Sequence, residues 1–394
     1  MKWPAPKLGT VLPVLVLASS VSIMSTDMYT PSLPHLPDVF GTTPKMVNLT
    51  VSLNIFVFGI SQLIYGPLSD RFGRRPILLA GMAGFAIFSG LCGAAQSIGQ
   101  LIGARVFQGM LAAVEMVLAL AIIRDVYDET DQVRALAIYG TALAVAPILA
   151  PIAGGYIQVF LGWRAIFLIT ALIGFCVILL IWRRLPETVT PDKQALSFIH
   201  VLRDYLKLLT NRSFMNYTLM VGAGFGVIFA FATAGPFIII KYFNVPTHLF
   251  GFYQAAVALS WFAGSVVTNQ IADKIDTKII LEAGLVCAAM GAFILPVLVF
   301  TGIESPLSIT LAISILGFGM GPVFAVAPLR ALAVADTKTG TASAMVSTVQ
   351  MVIASLASAS VGVFHDGTTR PLAITILALL VVAGIAYWLS IKRG

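Results

Sequence analysis

Gly66-Pro67-Leu68-Ser69-Asp70-Arg71-Phe72-Gly73-Arg74-Arg75-Pro76 begins at the end of one long apolar run, 46–68, and leads into another, 76–95. Between Asp70 and Arg75 the chain gathers one acid and three arginines, then turns apolar again. Gly73 opens backbone conformations that are closed to other residues. Pro76 suits the first turn of a new helix. Each flanking run has about the 20 apolar residues needed to cross a bilayer. The stretch therefore reads as a tight charged turn between two membrane-crossing helices, and the fold class follows from it.

The rest of the chain repeats this pattern. Its 394 residues are 58% hydrophobic and 10% charged, with a mean hydropathy of +0.95. An average soluble domain carries about 25% charged residues, so this chain cannot cover a water-facing surface. Twelve apolar runs are predicted to span the membrane: 9–31, 46–68, 76–95, 99–124, 134–158, 163–183, 213–240, 248–271, 278–300, 306–332, 338–363 and 371–390. The class is an all-α membrane protein.

The net charge of +7 follows from topology, not from nucleic-acid binding. With the N-terminus placed in the cytoplasm, 19 of the 24 Lys and Arg residues fall on the cytoplasmic side and 4 on the outer side. Arg105 is left inside a span. This bias obeys the positive-inside rule and puts both termini in the cytoplasm. The first twenty residues imitate a signal peptide, but the apolar helix continues to Asp27, so an uncleaved span is expected. Cys92, Cys176 and Cys287 lie far apart inside apolar runs and indicate neither a disulfide nor a metal site. No metal or other cofactor is expected.

The longest connection falls at the midpoint. It divides the chain into residues 1–184, a linker 185–212, and residues 213–394. In the linker, Leu196, Ile199, Leu202, Leu206 and Leu209 share one helical face beside Arg203 and Lys207. This predicts a helix lying on the membrane surface. Two weak matches support a duplicated six-helix unit. Gly140-Thr141-Ala142 recurs as Gly340-Thr341-Ala342, and Asp70-Arg71 recurs as Asp273-Lys274 after span eight. Such duplication predicts two pseudo-symmetric bundles with a site between them near the midplane.

Ionisable residues within spans are costly and mark function. Arg105 in span four costs about 2.5–3.5 kcal/mol at a helix centre, so it needs a partner or an aqueous cavity unless it snorkels to the interface. At about 100° per residue, Gln108 and Glu115 lie about 20° apart and Arg105 about 60° from Gln108. All three are assigned to one cavity-facing sector. The alternative for Glu115 is a helix–helix hydrogen bond. Asp27, near the end of span one, lies at a depth similar to Arg105, so the two are candidates to pair; the alternative is a solvated helix end. Tyr29, Met28, Phe56, Met116 and Phe229 are candidate cavity-lining residues. Span five carries Gly140, Pro147, Pro151, Gly154 and Gly155, a kink-and-close-approach pattern.

The GxxxDRxGRR loop resembles that of the major facilitator superfamily, and Arg105-x-x-Gln108-Gly109 matches a second signature of that family. The resemblance runs over the whole chain. It implies that Gly66, Asp70, Arg71, Gly73, Arg74 and Arg75 form a gating loop. Asp70 would sit by the start of span eleven, around Lys338 to Gly340, and Arg74 would pair with Asp125. Asp27-Met28-Tyr29-x-Pro31-x-Leu33-Pro34 narrows the resemblance to the bicyclomycin and chloramphenicol resistance branch of the drug–proton antiporters. Trp163-Arg164-x-x-Phe167 also fits. The span-five pattern is similar to the proline–glycine motif of exporters in the superfamily, with alanines before Pro147 and Pro151 where many members have glycine.

The resemblance implies a secondary transporter in a bacterial inner membrane. It would export a small, drug-like organic molecule in exchange for protons. Asp27 or Glu115 would carry the proton, with Arg105, Tyr29 and Gln108 beside them. A dedicated exporter of a siderophore or other metabolite is the alternative; an importer or a channel fits less well. No GxxxxGK[ST] loop supports ATP hydrolysis, and no HExxH or GxSxG supports an enzyme. The expected partners are a small-molecule substrate, protons and the lipid bilayer, with no nucleic acid, and the expected state is a monomer.

Overall fold

The computed structural model describes residues 8–190, 198–337 and 339–391. Lys338 and Leu196 therefore lie outside the described residues. Among those described, twelve helices are long and apolar enough to cross a membrane. Spans one to six are Thr10–Phe40, Pro44–Phe72, Arg74–Ala94, Ile98–Val126, Glu129–Leu161 and Trp163–Arg184. Spans seven to twelve are Arg212–Tyr242, Thr247–Ile271, Thr277–Thr301, Pro306–Ala333, Thr339–Val363 and Arg370–Ile391.

Local chemistry sets where these helices begin and end. Short polar side chains accept hydrogen bonds from otherwise unpaired first-turn N–H groups. Ser97 takes the N–H of Gln100, Asp128 that of Asp131, and Asn211 that of Phe214. Ser305 and Ser308 cap span ten reciprocally. Gly73, at φ +98°, closes span two and starts span three. Two segments are not plain α-helix. Span one passes from helix Leu8–Asp27 into a 3-10 segment, Thr30–His35. Span seven ends in a π-helical turn, Phe237–Tyr242, just after Pro236. Span five runs unbroken through Pro147 and Pro151.

The helices form two six-helix bundles. One apolar core lies within the first six spans, from Val11 to Leu185. A second lies within the last six, from Met220 to Ala386. A third joins them: Tyr29, Val47, Val51 and Ile55 from the first bundle pack with Phe237, Met351 and Ala354 from the second. Large apolar side chains such as Phe160, Leu172, Trp182 and Phe293 are exposed, as lipid-facing residues are.

The linker contains a helix, Phe198–Thr210. Its packing adds to the sequence reading. Leu202, Leu206 and Leu209 are exposed, whereas Tyr205 and Leu208 are buried. The buried pair packs with Phe214, Ala331, Met345 and Val346, and the Tyr205 hydroxyl donates to the Leu63 carbonyl at 3.2 Å. The leucine stripe thus faces away from the protein, while the helix is fastened to both bundles by its other side.

Candidate functional site: a buried polar network in the first bundle

Three acidic or basic side chains are buried among the described residues: Asp27, Arg105 and Glu115. All belong to the first bundle. Arg105 is enclosed completely. Its Nη1 donates to Gln108 Oε1 at 2.5 Å, its Nε to the Thr50 carbonyl at 3.2 Å, and its Nη2 to Thr26 Oγ1 at 3.3 Å. The guanidinium also lies 5.2 Å from the Tyr29 ring centre and 5.8 Å from that of Phe167, within cation–π range. Gln108 donates onward to Ser89 at 2.7 Å. Tyr29 and Thr50 share a 2.8 Å hydrogen bond. Asn54 donates to the Arg105 carbonyl at 2.7 Å. Arg105 therefore does not snorkel; it is the centre of a satisfied network joining spans one, two, three and four.

The pairing of Asp27 with Arg105 is not found. Arg105 takes Thr26 from span one, and no ion pair reaches Asp27. Depth was matched, but one residue along a helix is about 100° of rotation, and Thr26 holds the facing position. Among the described residues, the Asp27 carboxyl has no side-chain hydrogen bond. Glu115 takes the alternative reading, a hydrogen bond between helices. It shares a helix face with Gln108 but lies seven residues away, about 10 Å along the axis. There it accepts from Ser22 of span one, and its Oε1 has no partner. Nearby, Tyr139 donates to Ser19 at 2.8 Å. The one sector thus holds two separate sites, both packed between helices rather than facing an open cavity.

The loop after span two forms its own cluster. Arg74 Nη1 lies 2.5 Å from Asp70, and its Nε donates to Asp125 at 3.2 Å, the second being the contact the resemblance implies. No hydrogen bond or ion pair joins Asp70 to a described residue of span eleven. It turns back one helical turn to Arg74, with its side chain 47% exposed. Arg75 donates to the Trp182 carbonyl at 2.6 Å, and Arg71 lies over the Phe72 ring. Gly66 has open space beside it.

One residue of this cluster escaped the sequence reading. Glu187, just past span six, accepts from the backbone N–H groups of Arg74 at 2.8 Å and Arg75 at 3.2 Å. A carboxylate on the first N–H groups of a helix is favoured by both hydrogen bonding and the dipole. A Cβ at position 73 would lie 2.5 Å from the Glu187 carboxylate, so Gly73 is required for space as well as for its φ. The signal in the sequence was an acid at a helix-to-loop boundary, but nothing in a 113-residue separation points to its partner.

Span five divides at its middle. Gly154 packs against the Met28 backbone, where an added Cβ would lie 2.0 Å from the carbonyl oxygen. Gly155 faces the backbone of Thr247 and His248 across the bundles. Gly140, by contrast, is exposed with open space beside it. Further contacts draw the bundles together at the end remote from the arginine-rich turns. Lys241 pairs with Asp38 at 3.3 Å, His35 with Thr247 at 3.0 Å, and Thr30 donates to Gln254 at 3.0 Å. There the His365 imidazole, set against the Phe237 ring at 5.2 Å, is held below the usual histidine range by burial. Among the described residues, no group of three or more His, Cys, Asp or Glu is placed to hold a metal ion.

Two six-helix bundles with the ionisable groups buried in one of them define a membrane transporter of the twelve-span type. The chain belongs to the major facilitator superfamily, whose family model matches residues 15–359. It is 31% identical to the uncharacterized MFS-type transporter YdgK of Bacillus subtilis, covering 93% of this chain and 91% of that one. It is 30% identical to the chloramphenicol resistance protein of Pseudomonas aeruginosa, over 87% and 81%. It is 26% identical to the bicyclomycin resistance protein homolog of Haemophilus influenzae, over 96% of each. These relatives place it with the bicyclomycin and chloramphenicol resistance branch. Among solved structures, a bacterial homolog of the human lysosomal transporter Spinster, in an inward-facing and occupied conformation, superposes with a TM-score of 0.76. It shares 16% identity over 99% of this chain and 98% of that one. The D-xylose–proton symporter gives 0.74, at 15% identity over 96% and 97%. Both share the fold.

Proposed function

We propose that this protein exports a small, drug-like organic molecule in exchange for protons, by alternating access between its two bundles. One observation carries the reading: Asp27 and Glu115 are buried in the membrane without a counter-charge. A buried carboxylate is expensive unless something positive or hydrogen-bonding meets it. The chain supplies no cation to either, so the partner arrives from outside, as a proton or as a positively polarised group of the substrate. Two ligands competing for one carboxyl weaken each other by the same coupling energy, which is what antiport requires. Arg105, locked by Gln108, Thr26 and Thr50, fixes a positive charge beside the site without neutralising it. Asp27 is the principal proton carrier and Glu115 the second.

The positive-inside distribution supports a bacterial inner-membrane location with both termini in the cytoplasm. The remote contacts among Asp38, Lys241, His35 and Thr247 then lie on the outer side, and this conformation is inward-facing. Asp70, released from span eleven, belongs to that state; its docking at the span-eleven N-terminus would belong to the outward-facing one. The units exchanging positions are residues 1–184 and 213–394, acting as a monomer, joined by the linker 185–212. The chemistry is transport, with no enzymatic step.

The test is proton flux in energised everted vesicles, read by a pH-sensitive dye while a panel of amphenicols, lipophilic cations and siderophores is added. A substrate-triggered loss of the gradient that disappears in Asp27→Asn supports the reading. Undiminished pH-driven efflux by that variant overturns the assignment of Asp27.

A further inference from the structure

The contacts that close the outer side gather two imidazoles around one ammonium, and the imidazoles belong to opposite bundles. His35 ends the 3-10 segment of span one, with its Nε2 3.0 Å from Thr247 Oγ1 at the start of span eight. His365 lies between spans eleven and twelve, against the Phe237 ring at 5.2 Å. Both rings are half-buried. Lys241, near the end of span seven, is within electrostatic reach of each. A cavity of about 300 Å³ opens beside them, lined by Phe237, Lys241, Tyr242, His365 and Gly367 of the second bundle and Pro44 of the first. Lys241, Tyr242 and Gly367 are exposed, so the cavity is continuous with water, and its volume holds several waters at about 30 Å³ each. Protons therefore reach the His365 ring from outside. The acids at this face are already engaged. Asp38 pairs with Lys241 at 3.3 Å. Asp366 accepts from the Thr368 N–H at 2.9 Å and its hydroxyl at 2.7 Å. Glu304 accepts from Tyr242 at 2.7 Å, with Arg370 acting on the same hydroxyl. Lys45, next to Pro44, is exposed, and His248, next to Thr247, lies against the Tyr156 ring at 5.6 Å.

We propose that His35 and His365 form an acid-sensitive latch: protonation of the two rings sets like charges against Lys241 across the seam between the bundles and opens the outer side. This rests on the orientation proposed above, which puts this face outside. It adds a regulator of the exchange and not a second carrier of the exchanged proton, since Asp27 and Glu115 lie elsewhere. Imidazole is the side chain that gains charge between about pH 5 and 8. A neutral His35 exchanges one hydrogen bond with Thr247. An imidazolium keeps that bond and adds a positive charge on the first bundle, facing Lys241 and His365 on the second. Like charges held in a partly dry seam repel more than they do in water. The sign for His365 follows from its surroundings. Burial in the closed form holds the ring below the usual histidine range, whereas opening returns it to water and to its ordinary affinity of about pKa 6.5. The open form therefore binds the proton more tightly. Closure is favoured in full above that value and is lost progressively as the outside pH falls below it. An acidic exterior, which is one component of an energised membrane, thus turns the carrier outward, and without it the outer side stays shut.

The test reads the outer opening directly. Leu161→Cys and Ile303→Cys place spin labels at exposed positions on the outer ends of spans five and nine, with Cys176 and Cys287 changed to alanine. Their separation is measured by pulsed electron paramagnetic resonance on the full chain in lipid nanodiscs, with no substrate and no gradient. In the wild-type background the ratio of open to closed forms is expected to rise on the order of 10-fold from about pH 7.5 to about pH 5.5. The His35→Gln/His365→Gln double variant keeps polar side chains that cannot take up the proton. It is expected to show the closed distance at about pH 7.5, which establishes that it folds, and to change by less than about 2-fold at about pH 5.5. His365→Arg, charged at every pH, is expected to open the outer side even at the higher pH. Asp27→Asn is expected to keep the response. No response in the wild-type background, a full response in the double variant, or a response lost in Asp27→Asn but kept in the double variant overturns the proposal. An intact label response together with efflux that ignores protons in vesicles would fail the antiport reading alone.

Discussion

The two bundles share one architecture and differ in what they bury. Among the described residues, the first encloses Asp27, Arg105 and Glu115, and the second encloses only neutral polar groups, such as Gln254, Thr233, Thr310 and Ser358. The hydroxyls of the second bundle mostly bond to carbonyls one turn back, as Thr218, Thr268 and Thr310 do. Hydroxyls of the first bundle do so as well, at Ser52, Ser89 and Thr170, but there the Arg105 network also reaches across helices. Duplicating a fold therefore does not duplicate its chemistry. A buried charge is costly in lipid, and among the described residues it is found in one bundle alone.

This contrast can be tested by degrees. The largest effect is expected from Asp27→Asn, which should abolish pH-driven efflux in vesicles while leaving expression and folding intact. Next is Arg105→Leu, which strips Gln108, Thr26 and the Thr50 carbonyl of their shared donor. Breaking a buried charged network typically costs about 3–5 kcal/mol, visible as a drop in the detergent melting temperature. Arg105→Lys should recover only part, because an ammonium cannot reproduce the fork of donors. Gly154→Val should cost about 1–3 kcal/mol by overpacking against Met28. Gly140→Val, in the same span-five pattern but facing open space, should stay within about 0.5 kcal/mol. Similar losses at both glycines would contradict the division of that helix. The smallest effect is expected from the second bundle. Thr233→Val removes the 2.8 Å bond to Ser358 and should cost about 0.5–1.5 kcal/mol with transport rate unchanged. If Thr233→Val impaired proton coupling as Asp27→Asn does, the division of labour between bundles would be wrong.

The fold was legible because span length and charge asymmetry are one-dimensional properties that survive in sequence. Arg105 and Gln108 were legible for a similar reason: three residues on one helix are neighbours whatever surrounds them. The partner of Arg105 was not. Matching depth on two helices leaves rotation undetermined, and Thr26 rather than Asp27 holds the facing angle. Glu115 was put on the correct face but at too great an intimacy with Arg105, since a shared face says nothing about separation along the axis. Asp70 was placed by the resemblance beside span eleven, but its ion pair is with Arg74, one helical turn away on its own loop. Cavity-lining residues were not legible, because phenylalanine suits lipid and cavity alike. Of the candidates, Phe229 is partly buried and Phe56 exposed, while Tyr29 and Met28 are enclosed. Glu187 and Arg74 are far apart in the chain, and only the folded bundle joins them.

That last contact has a consequence for how the protein is made. The acceptor for the N–H groups of Arg74 and Arg75 is Glu187, which the ribosome adds only after all six helices of the first bundle. Until then span three begins with uncapped amides, and the arginine-rich turn cannot take its final shape. The order of synthesis thus makes the turn the last part of the first bundle to lock, before most of the second bundle exists. A chain truncated after residue 186 would hold the six spans but lack the acceptor for those two amides.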